Sequence, residues 1–170
     1  MKTLKIEGRN LTAVLRNLER CDFIAKMARF PNKSTDAIYR LVDFYTLFYY
    51  KFLSEDLSGD EMWWSHNFQS HSVEAWMGRS FELLCLCHVE QIKRALGISG
   101  MATSISSWRL LADKFCQDPA RREGAQIDLI IDRADRMVHL CEMKFSDGPY
   151  ELKDAYEKKL RQRMTIFREV

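Results

Sequence analysis

The sequence predicts an α/β fold from three observations. A long amphipathic helix begins at Ser72, carries Trp76, Phe81, Leu84, Leu86 and Ile92 at helical spacing, and ends at Gly97. Two apolar strands follow, Gly124-Ala-Gln-Ile-Asp128-Leu-Ile-Ile-Asp132 and Leu140-Cys-Glu-Met-Lys144, joined through the short Arg133-Ala-Asp-Arg136 turn. After Ser146-Asp-Gly-Pro149 breaks the second strand, residues 150–167 show helical periodicity again.

The elements before this region read as a separate unit. Asn10 can cap a helix running to Arg20, because Leu11, Val14, Leu15 and Leu18 recur at helical spacing. Phe23-Ile-Ala-Lys-Met27 and Ala37-Ile-Tyr-Arg-Leu-Val42 read as two strands joined by a loop over 30–36. A helix followed by such a hairpin is the second half of a winged helix with the hairpin as its wing. The usual leading helices do not precede it, which predicts a piece of a longer protein. The aromatic run Phe44-Tyr-Thr-Leu-Phe48-Tyr-Tyr50-Lys-Phe52 suits a core helix better than a base-stacking platform. The acidic, glycine-containing 54–60 segment marks a linker, so the expected organisation is a partial winged helix over 1–53, a linker over 54–62 and a second domain over 63–170. Trp63 and Trp64, directly after it, are expected to seal the junction or to present a partner surface. Residues 108–115 are ambiguous between a short strand with its loop and a helical turn, and 119–124 form a loop leading to the Asp128 strand.

Composition narrows the function classes. A 170-residue chain with 46% apolar residues is not generally disordered, and a net charge of +2 requires any nucleic-acid contact to come from a local patch. The basic 151–170 segment reads from charge alone as a solvated, ion-paired helix face. Five irregularly spaced cysteines, with no signal peptide and no run of eighteen apolar residues, point to a reducing, cytoplasmic setting without a membrane span. Cys85-x-Cys87-His88 lacks a second ligand pair at a suitable distance and reads as core rather than as zinc site. His66, His71, His88 and His139 form no obvious catalytic pair, and Lys33-Ser34 lacks the glycines of a nucleotide-binding loop.

The chemistry concentrates on the paired strands. By alternation Gln126 and Asp128 share one face of the first strand and Ile127, Leu129 and Ile131 the other, while Leu140, Glu142 and Lys144 share a face of the second. Pairing of the two strands can bring Asp128 beside Glu142, with Lys144 one pleat away. Two such carboxylates suit a hard, hydrated cation such as Mg²⁺ or Mn²⁺. The cation would polarise a phosphoryl group and activate water, with Lys144 orienting that water or neutralising the developing charge. The competing reading is an ordinary Glu142–Lys144 ion pair on an open strand, with Asp128 solvated at a strand end.

Asp128, the gap to Glu142, and Glu142-x-Lys144 resemble the signature of the PD-(D/E)XK nuclease superfamily. Phe81-Glu82 in a helix, Gly124-Ala-Gln-Ile-Asp128, Leu140-Cys-Glu-Met-Lys144-Phe-Ser, Tyr150 and Tyr156 further resemble the nuclease-like C-terminal region of a family of archaeal and bacterial AAA-type ATPases, over roughly residues 75–170. The resemblance implies a restriction-endonuclease-like αβββα core, here lacking its last strand, preceded by a partial winged helix. It implies catalytic Asp128, Glu142 and Lys144, with Asp128 and Glu142 as metal ligands and Glu82 as a further acid. Gln126 stands where some active relatives carry an acid. DNA is the implied partner, and the ATPase motor would lie outside this chain. A catalytically silent module that grips DNA or protein with the same fold is the alternative.

Overall fold

The computed structural model describes residues 8–31, 38–54, 59–117 and 122–169. It is a mixed helix-and-sheet protein with small antiparallel sheets. Helix α1 (Gly8–Arg20) leads into a two-stranded antiparallel hairpin of β1 (Ile24–Met27) and β2 (Ile38–Leu41). The loop expected over 30–36 lies outside the described residues beyond Pro31. Helix α2 (Phe44–Phe48) starts where the Asp43 carboxylate accepts the Thr46 N–H at 2.8 Å, then continues into a π-helical turn, Tyr49–Leu53. Of the proposed linker, 55–58 also lie outside the described residues. Helix α3 (Trp63–Asn67) follows it.

The long helix starts two residues earlier than expected. Ser70, not Ser72, caps α4 (His71–Cys87), its hydroxyl accepting the Val73 N–H at 3.4 Å. The helix is also not continuous to Gly97. His88 leaves helical geometry, and a second helix α5 (Val89–Ala95) begins there. Gly97 ends α5 as expected, at a φ of 70°, with Ile98 N–H reaching back to Lys93 O at 2.9 Å and Gly97 N–H to Arg94 O at 3.0 Å.

The main sheet has the order β3-β4-β5, all antiparallel: β3 (Thr103–Leu110), β4 (Ala125–Arg133) and β5 (Val138–Cys141). The ambiguous 108–115 segment divides between the last residues of β3 and irregular chain. Helix α6 (Asp154–Glu169) closes the fold. Trp108, Ile127 and Ile130 pack on one face of the sheet with Ile166 of α6, and Leu129 and Ile131 pack on the other with Val89 and Ile98. The sheet is thus sandwiched between helices, and its central strand is buried on both faces.

The hairpin and the main sheet meet. Ser107 N–H donates to Ala28 O at 3.2 Å and Phe30 N–H to Ser107 O at 2.9 Å, so the chain after β1 covers the outer edge of β3. The Phe30 ring lies 5.1 Å from that of Phe167. Phe48 and Phe52 pack with Trp63, Trp64 and Trp76 at centroid separations of 5.1–6.1 Å. Only Phe52 of these aromatics is buried.

Candidate active site

Asp128 sits at a β-bulge. Ser106 pairs with Ile130 and Trp108 with Ile127, so two residues of β4, Asp128 and Leu129, span the single position held by Ser107. The bulge corrects the simple alternation expected for this strand. Ile127 packs with Ile130 toward α6, whereas Leu129 and Ile131 pack toward α5. Asp128 is only 7% exposed. Its Oδ1 accepts from Gln126 Nε2 at 3.1 Å and its Oδ2 from the Met143 N–H at 3.2 Å, so a buried carboxylate is held from two sides.

Glu142 follows the last residue of β5. Leu129 pairs with Cys141, and continuing the register by one residue sets Asp128 opposite Glu142. The Glu142 carboxylate takes three donors. Lys144 Nζ lies 3.0 Å from Oε1, Arg163 Nη1 lies 2.8 Å from Oε2, and the Tyr156 hydroxyl donates to Oε1. Burial acts to raise the Glu142 pKa, but the hydrogen bonds from Tyr156 and Lys144 and the charge of Arg163 outweigh it and hold the carboxyl below the usual range. Burial likewise opposes charge on Lys144, yet Tyr156 and Glu142 push its pKa well above the ordinary lysine value. Lys144 is therefore a fixed cation, also 5.3 Å above the Tyr156 ring. The Tyr156 hydroxyl is pushed up by burial and by its bond to Glu142.

Gln126, Asp128, Glu142, Lys144 and Glu82 all line one open cleft of about 630 Å³ between α4 and the end of the sheet. Glu82 reaches it from α4, but its carboxylate is engaged by Arg40 of β2 at 3.2 Å. Arg163 is a site residue that the sequence reading does not single out, and Tyr156 enters there only through the resemblance, without a role. They are seven residues apart, two turns of α6, and therefore share a face. The available signal was position: both belong to the stripe that also carries Leu160 and the core residue Ile166.

Among the described residues no group of three or more His, Cys, Asp and Glu side chains is arranged to hold a metal. Asp128 retains an unused lone pair on each oxygen and Glu142 one on Oε2, since each carboxylate oxygen accepts about two hydrogen bonds. That donor set suits a hydrated Mg²⁺ or Mn²⁺ taking one or two carboxylates rather than a cage of acids. Cys85 and Cys87 are free thiols whose pKa values burial raises. Among the described residues no helix is long and apolar enough to cross a membrane. Comparison of the chain with protein-family models, curated proteins and solved structures found no match.

Proposed function

We propose that the chain is a nuclease-like domain that binds DNA and hydrolyses a phosphodiester with Mg²⁺ or Mn²⁺ at Asp128, Glu142 and Lys144. The observation that carries this reading is the gathering of a buried, oriented carboxylate, a second carboxylate opposite it and a fixed ammonium on one open cleft. The order helix, three strands, helix, with the cleft at the sheet's end, supports an αβββα nuclease core. Helix α1 with the β1–β2 hairpin supports a partial winged helix before it. A bound divalent cation would polarise the phosphoryl oxygens and lower the pKa of a coordinated water. Gln126 and the Met143 N–H fix the Asp128 carboxylate for that role. Lys144 carries its proton throughout, so it neutralises charge developing on the phosphate rather than acting as a base. Tyr156 holds Glu142 in place. The resemblance to ATPase C-terminal regions implies an ATPase domain as working partner.

A second reading, a silent DNA-gripping module, is favoured by one feature: Lys144 and Arg163 already neutralise Glu142. One experiment separates the two. Wild type and Lys144→Ala are incubated with duplex, branched and single-stranded DNA in Mg²⁺ or Mn²⁺, with and without an ATPase partner and ATP. Lys144→Ala is expected to keep DNA binding while cleavage falls roughly a hundredfold or more. Binding without cleavage of any substrate by wild type would establish the silent module instead.

A further inference from the structure

Beside the acidic cleft lies a second one of about 380 Å³ with the opposite electrostatic character. The first is lined by the carboxylates Glu74, Glu82, Asp128, Glu142 and Asp147 against the cations Arg79, Lys144 and Arg163. Among the described residues the second is lined by the cations Arg109, Lys159 and Arg163 against one carboxylate, Glu123. The two clefts share Gln126 and Arg163. Arg109 pairs across the strands with Gln126, whose amide holds Asp128. Lys159 and Arg163, four residues apart on α6, project from one face of that helix. A cation-attracting cleft thus adjoins an anion-attracting one, and a polymer of regularly spaced phosphates suits that alternation better than an isolated anion does.

We infer that the second cleft is a subsite for the DNA phosphate next to the one hydrolysed, with Arg109 and Lys159 as its charge-bearing contacts and Arg163 at the boundary between the two clefts. The inference rests on the nuclease reading and adds to it the path of the substrate backbone, from the acidic cleft past Gln126 toward the Arg109 end of β3. Arg109 and Lys159 are both exposed, so their replacement leaves the core intact. Lys158, also exposed and adjacent on the helix but not a lining residue of this cleft, serves as the charge-matched control.

The test measures binding of a short fluorescein-labelled DNA duplex by anisotropy across a salt series in EDTA, which prevents cleavage, for wild type, Arg109→Gln, Lys159→Gln and Lys158→Gln. Each subsite variant is expected to weaken binding several-fold and to reduce the slope of log K against log salt by about 1, as loss of one phosphate contact requires. Lys158→Gln should leave the slope unchanged. Equal effects of Lys158→Gln and Lys159→Gln, or no effect of Arg109→Gln and Lys159→Gln on a duplex that wild type binds, would overturn the subsite alone. Failure of wild type to bind the duplex at any salt, together with no cleavage in Mg²⁺ or Mn²⁺, would overturn the nuclease reading and the subsite with it.

Discussion

Arg163→Gln separates the two roles that the geometry gives to Glu142. In the resting site the Arg163 guanidinium lies 2.8 Å from Glu142 Oε2, with Arg163 26% and Glu142 16% exposed at the side chain. A hydrogen bond to a charged group contributes about 1.5–3 kcal/mol, and partial solvent screening of Arg163 brings the expected figure to the lower end, about 1.5 kcal/mol. The same contact opposes a divalent cation, because Oε2 holds the lone pair Glu142 has left for a metal. Removing the guanidinium is expected to lower the melting temperature by roughly 3–6 °C for a chain of this size. It is also expected to tighten Mg²⁺ binding by about tenfold, since about 1.4 kcal/mol of competition is released. Differential scanning calorimetry and isothermal titration with MgCl₂ read the two effects on the same samples. A residue serving only as packing would lower stability without tightening the metal. Weaker or unchanged Mg²⁺ binding in a folded Arg163→Gln protein would refute the competition between guanidinium and cation.

Other consequences can be measured independently. Leu129 is fully buried between sheet and helices, so Leu129→Ala should cost about 3 kcal/mol in urea denaturation, within the range for a leucine-to-alanine cavity. Gly124 has φ of 70°, and a Cβ there would lie 2.7 Å from Leu110 O and 2.8 Å from Ala112 N. These are backbone atoms, so Gly124→Ala should destabilise the fold by about 2 kcal/mol or more in the same assay, while Gly78→Ala, with open space at its Cβ, should not. The Glu142 carboxyl is held below its ordinary range, so its contribution to stability is complete above the unfolded-state value, near pH 4.3, and is lost as pH falls through the lower folded-state value. The acid limb of the stability curve should therefore flatten in Glu142→Gln.

Much of the site is legible in the sequence because its signal is local. The continuous apolar run Leu129-Ile-Ile131 beside Asp128, and Glu142 with Lys144 two residues on, need only strand geometry to be read as two neighbouring strands that bring acids to the site. Gly97 is legible for the same reason, since a helix C-terminus requires few neighbours. What escapes are features set by distant partners. The break at His88 has no proline or glycine to announce it. Ser70 and Ser72 are equally good caps by residue type, and the path of the preceding chain selects between them. Arg163 reads as one more charge on a basic helix, and only the fold, by bringing the end of β5 against α6, gives it Glu142 as a partner. Phe48 reads as core and Trp63 as a junction seal or partner surface, and the structure buries Phe52 and leaves those two partly exposed.

The bulge at Asp128 shows why alternation fails on the strand that carries the site. Leu129, Ile130 and Ile131 are all buried, so an extra residue on β4 leaves no polar residue on an apolar face to betray it. The residue opposite the bulge is Ser107. Ser107 directs both its backbone N–H and its carbonyl to Ala28 and Phe30, away from β4. The ladder between β3 and β4 skips from Ser106 to Trp108 while β4 runs from Ile130 to Ile127. Asp128 and Leu129 fill that gap, which lets Leu129 keep its core position while the Asp128 carboxylate reaches Gln126 and the Met143 N–H. The N-terminal segment, which the sequence assigns to a separate unit, is thus hydrogen-bonded to the one β3 residue that faces the bulge. The N-terminal segment and the strand that aims the candidate metal ligand meet at Ser107.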